Sequence, residues 1–381
     1  MILLALLLAT VVAKPPTTLE LATLVVPEPV APAPRTPTAD IRRLLRPEAS
    51  ILAARNRLDQ DLERRDGELA HLRELEGALT KDLATQTAHC EQLTEALEHS
   101  RVAVRERIAA LDRLQRTSTT AMTLGQASWE AVDYAKAAVL RLQAEDHARI
   151  FTYRLQLATW QTAQSDLARR TQNLARTRTS IGYLEQELAW DHEERSALEA
   201  AVVKEPEFYA TYANEMEKLD PVVAAKVEDL IAQAPKPPER PRLYFEETRG
   251  GLAVPIRNAD VVGGFGTRSY LGVRSVWHGI HLYPLRPPKD GERVDVRATY
   301  WGWVLWTGWL QGLGKVVILD HTMGYTSLYA HLATIDVQVG EKVKTGTPLG
   351  AMGATESYFG PRLYMEIRKD GVSVDPLPWM K

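Results

Sequence analysis

Trp277-His278-Gly279-Ile280-His281 decides how the chain is read, together with Tyr329-Ala330-His331-Leu332 and Arg362-Leu363-Tyr364-Met365-Glu366. The last piece alternates apolar and polar residues with the period of a strand. Leu363, Met365 and Ile367 are therefore expected to enter a core, while Arg362, Tyr364, Glu366 and Arg368 line the opposite face. From Leu252 onward the same period recurs between Gly and Pro turns, as in Arg293-Val294-Asp295-Val296 and Lys315-Val316-Val317-Ile318-Leu319. About 130 residues of short strands suffice for one β-rich domain with its own core. By alternation, Trp301, Trp303, Trp306 and Trp309 are expected to be mostly core.

The three pieces resemble the site of the lysostaphin/LytM-type zinc peptidases, where they read His-x-Gly-Ile-Asp, Tyr-Ala-His-Leu and His-x-His-Phe-Glu. In that family the first His, the Asp and the last His hold zinc. The matching positions here are Trp277, His281 and Tyr364, and only His331, a base or transition-state donor in the family, is retained. A catalytic zinc needs about three protein ligands and one open position. Indole nitrogen has no lone pair to give, and a phenol with an ordinary pKa of about 10 is a poor ligand at neutral pH. The resemblance therefore implies a fold without metal, cofactor or hydrolysis. The alternative is a peptidoglycan endopeptidase with rearranged ligands, His278, His281 and His331.

Further signals of the same domain are Trp309-Leu310-Gln311-Gly312-Leu313-Gly314, Val339-Gly340-Glu341-Lys342-Val343, Gly346-Thr347-Pro348-Leu349-Gly350 and Pro376-Leu377-Pro378-Trp379. The first and last of these are most similar to EnvC-type murein hydrolase activators. That resemblance implies an exported, periplasmic regulator that switches on a cell-wall N-acetylmuramoyl-L-alanine amidase near peptidoglycan. It also implies recruitment through a coiled coil to an FtsEX-type ABC transporter-like division complex at the inner membrane.

Residues 1–13 read as a signal peptide, too short an apolar run to span a bilayer, and residues 14–38 as a Pro-rich leader, flexible or PPII-like. The single cysteine, Cys90, excludes a disulfide framework. Residues 39–203 carry heptads. Leu62, Leu69, Glu76, Leu83, Cys90, Leu97, Val104 and Leu111 form one row, and Tyr153, Trp160, Leu167, Leu174, Ile181 and Leu188 form another. The break between Thr117 and Ser128 makes them an antiparallel hairpin, which at 1.5 Å per residue reaches roughly 110 Å. Its tip, with Met122, Leu124 and Trp129, is either an apolar docking site or a solvated loop.

Residues 204–241 read as a helical arm followed by a Pro-rich linker, ahead of the domain at 242–381. Asp220 is expected to cap a helix that starts at Pro221. In the activator family this region is a movable arm over the LytM groove; a plain spacer is the competing reading. The groove itself is expected to bind a partner through Trp277, His278, His281, Leu313, Val316, His331, Arg362, Tyr364 and Arg368, since Trp, Tyr and Arg dominate interface energetics. Trp277 is either a contact or a plug filling the metal's place. Formal net charge is −3, with 46 basic and 49 acidic residues, so there is no basic footprint for nucleic acid.

Overall fold

The computed structural model describes residues 24–33, 50–122, 129–233, 245–289 and 291–380. Two long helices, α1 (Ile51–Met122) and α2 (Trp129–Lys204), are followed by α3 (Pro206–Gln233) and then by a β-rich domain. The signal peptide, the Pro-rich linker and Leu124 lie outside the described residues, as do the side chains of Met122 and Trp129.

The chain divides into two compact units, one of residues 1–33 and 67–186, the other of residues 34–66 and 187–381. In the first, α1 and α2 run antiparallel, because their partners step in opposite directions: Arg73 with Glu185, Arg178 with Glu76, Arg170 with Asp82 and Arg107 with Asp146. Leu69, Leu79, Cys90, Leu174, Ile181 and Leu184 are buried on the seam. Within residues 24–33, Leu24 and Val26 are held against the hairpin. Asn173, 3% exposed, accepts from the N–H of Val26 at 3.3 Å and donates to the carbonyl of Leu24 at 2.7 Å. Arg176 donates to the carbonyl of Val26 at 2.8 Å, while Leu24 packs on Leu79 and Leu174. A polar residue in a helical seam needs such partners, and here an extended backbone supplies them.

In the second unit, the roots of α1 and α2 pack with α3 and the β-domain. Ile51, Leu52, Leu58, Leu198 and Val202 share a core with Phe208, Tyr209 and Tyr358. Arg55, fully buried, bonds Asp59 at 3.1 Å and Glu199 at 2.6 Å and donates to the carbonyl of Ser357 at 3.1 Å. Glu356 donates its N–H to Asp59 at 2.5 Å. The hairpin root and the C-terminal domain thus belong to one packed body.

Twelve strands are described, β1 (Ala259–Gly263), β2 (Gly266–Tyr270), β3 (Val273–Trp277), β4 (Ile280–Pro284), β5 (Asp295–Arg297), β6 (Gly302–Leu310), β7 (Gly314–Asp320), β8 (Tyr325–Ile335), β9 (Lys342–Val343), β10 (Pro348–Met352), β11 (Leu363–Lys369) and β12 (Val372–Val374). Among the described residues ten of them form one antiparallel sheet, ordered β1-β4-β11-β8-β7-β6-β9 along its main path, and β2 and β3 form a separate hairpin. One face builds the domain core from Val317, Leu319, Tyr329, Leu363, Met365 and Ile367. Alternation sends Val316, Ile318, Leu328, Ala330 and Tyr364 to the other face, where Val223 and Val227 of α3 cover them.

Two expectations are corrected here. The four tryptophans are half-buried rather than core. A bulge in β6 between Val304 and Trp306 turns Leu305 and Trp306 together toward α3, and Trp301 and Trp303 lie beneath Lys342. Pro221 does not start a helix but lies inside α3, and Asp220 is not a cap. An internal proline loses one backbone bond. Met216 and Leu219 before it and Val223 and Val227 after it pack along one apolar face, which offsets that loss.

Candidate functional site

The site lies where β3, β4, β8 and β11 meet beneath α3. Gly279 is required there, because a Cβ on it would fall 2.4 Å from the carbonyl oxygen of Met365 and 2.9 Å from side-chain atoms of both Tyr364 and Glu366. Its lack of a side chain lets the turn after Trp277 close onto β11. On β8, two residues, Ala330 and His331, oppose the single position between Lys315 and Val317. His331 takes a left-handed φ of 61°, sparsely populated for a non-glycine residue. This bulge aims the imidazole into the site, and Leu332 returns to the core face.

Trp277, His281, Tyr364 and His331 form an aromatic stack. Trp277 stands edge-on to His281 at 4.7 Å between ring centroids, His281 lies 4.9 Å from Tyr364, and His281 and His331 are near parallel at 6.1 Å. Burial drives His281 well below the ordinary imidazole range, with His331 and Arg362 adding to the shift. Burial likewise lowers His331 to about 4, although its Nδ1 bonds the carbonyl of Thr355 at 2.8 Å. Burial and the adjacent Glu366 hold the Tyr364 phenol well above 10, and its hydroxyl donates to Glu366 at 2.7 Å.

This donor set does not fit the family's zinc. Trp277 spends its only N–H on Ser275 Oγ at 3.0 Å, and Tyr364 keeps its proton on Glu366. His278 is turned toward Ser373 Oγ at 3.1 Å and Asp220 at 3.5 Å. Among the described residues no group of three or more His, Cys, Asp or Glu side chains could hold a metal ion. The rearranged set of His278, His281 and His331 is therefore not assembled as ligands.

Of the residues expected in the groove, Trp277, His278, His281, Leu313, His331, Tyr364 and Arg368 line one narrow cavity of about 40 Å³, closed on its other side by α3. That is space for about one or two waters. Val316 is fully buried against α3, and Arg362 lies outside the cavity, over the ring of Phe359 and bonded to that residue's carbonyl. Arg368 is almost fully buried. It bonds Glu366 at 2.6 Å, the carbonyl of Gly371 at 3.0 Å and, across the groove, Asp220 of α3 at 2.7 Å. Ser275, which Tyr209 of α3 and Trp277 both reach, carried no sequence signal, and Asp220 carried a misleading one.

Peptidase family M23 matches residues 287–376, beginning after the Trp277–His281 piece. The chain is 39% identical over 89 residues to the murein hydrolase activator EnvC of Escherichia coli, covering 23% of this chain and 21% of that protein. It is 39% identical over 84 residues to the murein hydrolase activator NlpD of the same organism, 22% of each chain. Against stage II sporulation protein Q of Bacillus subtilis it is 36% identical over 114 residues, 29% of this chain and 39% of that one. The chain thus spans between about a fifth and two-fifths of the length of these relatives. Among solved structures, the SpoIIIAH–SpoIIQ complex matches at 31% identity with a TM-score of 0.30, over 34% of this chain and all of that one. Residues 287–376 are thus similar to the peptidase M23 family, and the C-terminal part is similar over its matched length to the murein hydrolase activator EnvC.

Proposed function

We propose that this protein is a non-catalytic activator of a cell-wall amidase, exported to the periplasm, and that its M23 groove is a partner site held shut by α3. The observation that carries this reading is the cover itself. The residues where the family's metal chemistry would sit are a packed aromatic cluster beneath α3, while the arginine beside them, Arg368, is spent on Asp220 of a helix in the same chain. A groove of Tyr, Arg and aliphatic side chains under an apolar helix is suited to exchanging one amphipathic helix for another. The similarity to proteins named as murein hydrolase activators supports the same direction.

In this reading the hairpin of α1 and α2 recruits the protein to an FtsEX-type division complex, α3 leaves the groove there, and an amidase segment takes its place. The protein acts beside peptidoglycan without cutting it. Among the described residues no helix is long and apolar enough to cross a membrane. The test is dye release from labelled cell walls by the purified full-length protein, alone and with candidate amidases. No release alone and enhanced release with an amidase is expected. Chelator-sensitive release by the protein alone would replace this reading with the endopeptidase.

A further inference from the structure

The first turn of α1 is capped by a residue of α3. Ser50 is its ordinary N-cap: its hydroxyl accepts from the N–H of Ala53 at 3.1 Å and its carbonyl from that of Ala54 at 3.1 Å. The remaining donors of that turn go elsewhere. Glu215 accepts the N–H of Ile51 at 3.1 Å through Oε1 and that of Leu52 at 2.9 Å through Oε2, which also takes the Ser50 hydroxyl at 3.0 Å. α1 has no acidic residue in its own first turn. The negative charge that the positive end of a helix favours comes instead from a carboxylate 163 residues away.

Glu215 sits on α3 just before the residues that hold the groove shut. Leu219 and Met216 reach Gly312, where a Cβ would lie 2.8 Å from Leu219, 3.4 Å from Met216 and 3.3 Å from Leu52 of α1. Gly312 has a φ of 83° and stands next to Leu313 in the groove wall. The cap and the Asp220–Arg368 contact lie five residues apart on α3, and the backbone bond that Pro221 loses is the one to the carbonyl of Glu217 between them. Met216 and Leu219, which lie between the two contacts and pack against Gly312 and Leu52, tie the cap to the Asp220–Arg368 pair.

We infer that Glu215 couples the first turn of α1 to closure of the groove. α3 leaves Arg368 only by uncapping α1, and a partner that displaces or unwinds the first turn of α1 loosens α3. This rests on the reading that α3 vacates the groove. Linkage makes the coupling reciprocal, and the reciprocity separates it from a merely local cap.

The experiment is amide hydrogen exchange on the full-length protein, with no amidase present, for wild type, Glu215→Ala and Asp220→Ala. Glu215→Ala should speed exchange at Ile51 and Leu52 and, by about tenfold, across α3 residues 217–233, which Glu215 does not touch. Asp220→Ala should speed exchange across 217–233 and also at Ile51 and Leu52, which Asp220 does not touch. If Glu215→Ala affects only the first turn of α1, the coupling is overturned. If Asp220→Ala loosens α3 and leaves Ile51 and Leu52 protected, the coupling is likewise overturned while the mobile arm stands. If neither variant loosens α3, both the coupling and the arm reading fail.

Discussion

Arg368 of β11 and Asp220 of α3 meet at 2.7 Å across the groove, and the same guanidinium holds Glu366 at 2.6 Å on its own strand. Burial alone would lower the pKa of Arg368, but its two carboxylate partners more than offset it and raise it instead. Asp220 keeps a quarter of its side-chain surface exposed, so its share is discounted for solvent screening. Asp220→Ala should loosen α3 by roughly tenfold while leaving Arg368 paired to Glu366 and the domain's melting temperature nearly unchanged. Proteolytic cleavage within residues 217–233 checks this, and an unchanged cleavage rate would speak against the contact as a latch.

The altered ligand positions predict that wild-type protein holds no stoichiometric zinc after desalting. Trp277→His, His281→Asp and Tyr364→His together restore an imidazole, a carboxylate and an imidazole at the three positions, and that variant should retain zinc until a chelator is added. Elemental analysis decides the matter. One zinc per wild-type chain would show that the indole and the phenol do not abolish the site.

The buried imidazole of His331 makes an acid-side prediction. Its folded value of about 4 lies below the ordinary 6.5. Between these two values the unfolded chain binds a proton that the folded chain does not. The stability due to neutral His331 is therefore present above about pH 6.5 and is lost as the pH falls toward 4, at up to about 1.4 kcal/mol per pH unit. His331→Asn keeps a side chain that tolerates the left-handed φ and removes this titration. Denaturant unfolding between pH 4 and 6.5 should show a shallower slope in the variant, reduced by about one proton. His321, also lowered to about 4 by burial, accounts for part of what remains. Parallel slopes would contradict the assignment.

Asn173 gives a prediction for the first unit. Asn173→Ala removes both bonds to the backbone of Leu24 and Val26 and leaves those groups to find other partners, a cost of about 1–3 kcal/mol. Exchange at the Val26 amide should rise sharply and the unit's melting temperature should fall. Undiminished protection at Val26 would mean that the Arg176 bond and apolar contact suffice to hold Leu24 and Val26.

The strands of the β-rich domain were legible because alternation, as in Arg362–Arg368, sorts residues by parity, and parity is local; the altered ligand positions came from the resemblance to the LytM-type peptidases. What escaped the sequence depends on distant partners. Asp220-Pro221 carries the signature of a helix start, yet Asp220 answers to Arg368, 148 residues away. Glu215 carried no sequence signal, and its partners are the amides that open α1. Alternation placed Trp306 in the core because it could not foresee the bulge at Leu305. Arg362 has the right parity for the groove, but it lies at the strand's entrance, where the ring and carbonyl of Phe359 capture it.

The most direct test of the account is amidase stimulation by the full-length protein in the absence of any membrane partner, compared between wild type, Asp220→Ala and Arg368→Ala. Low stimulation by wild type, severalfold higher stimulation by Asp220→Ala, and none by a folded Arg368→Ala are predicted, because the arginine that α3 occupies is the one the amidase needs. Equal stimulation by all three would contradict the claim that α3 and the amidase compete for one groove.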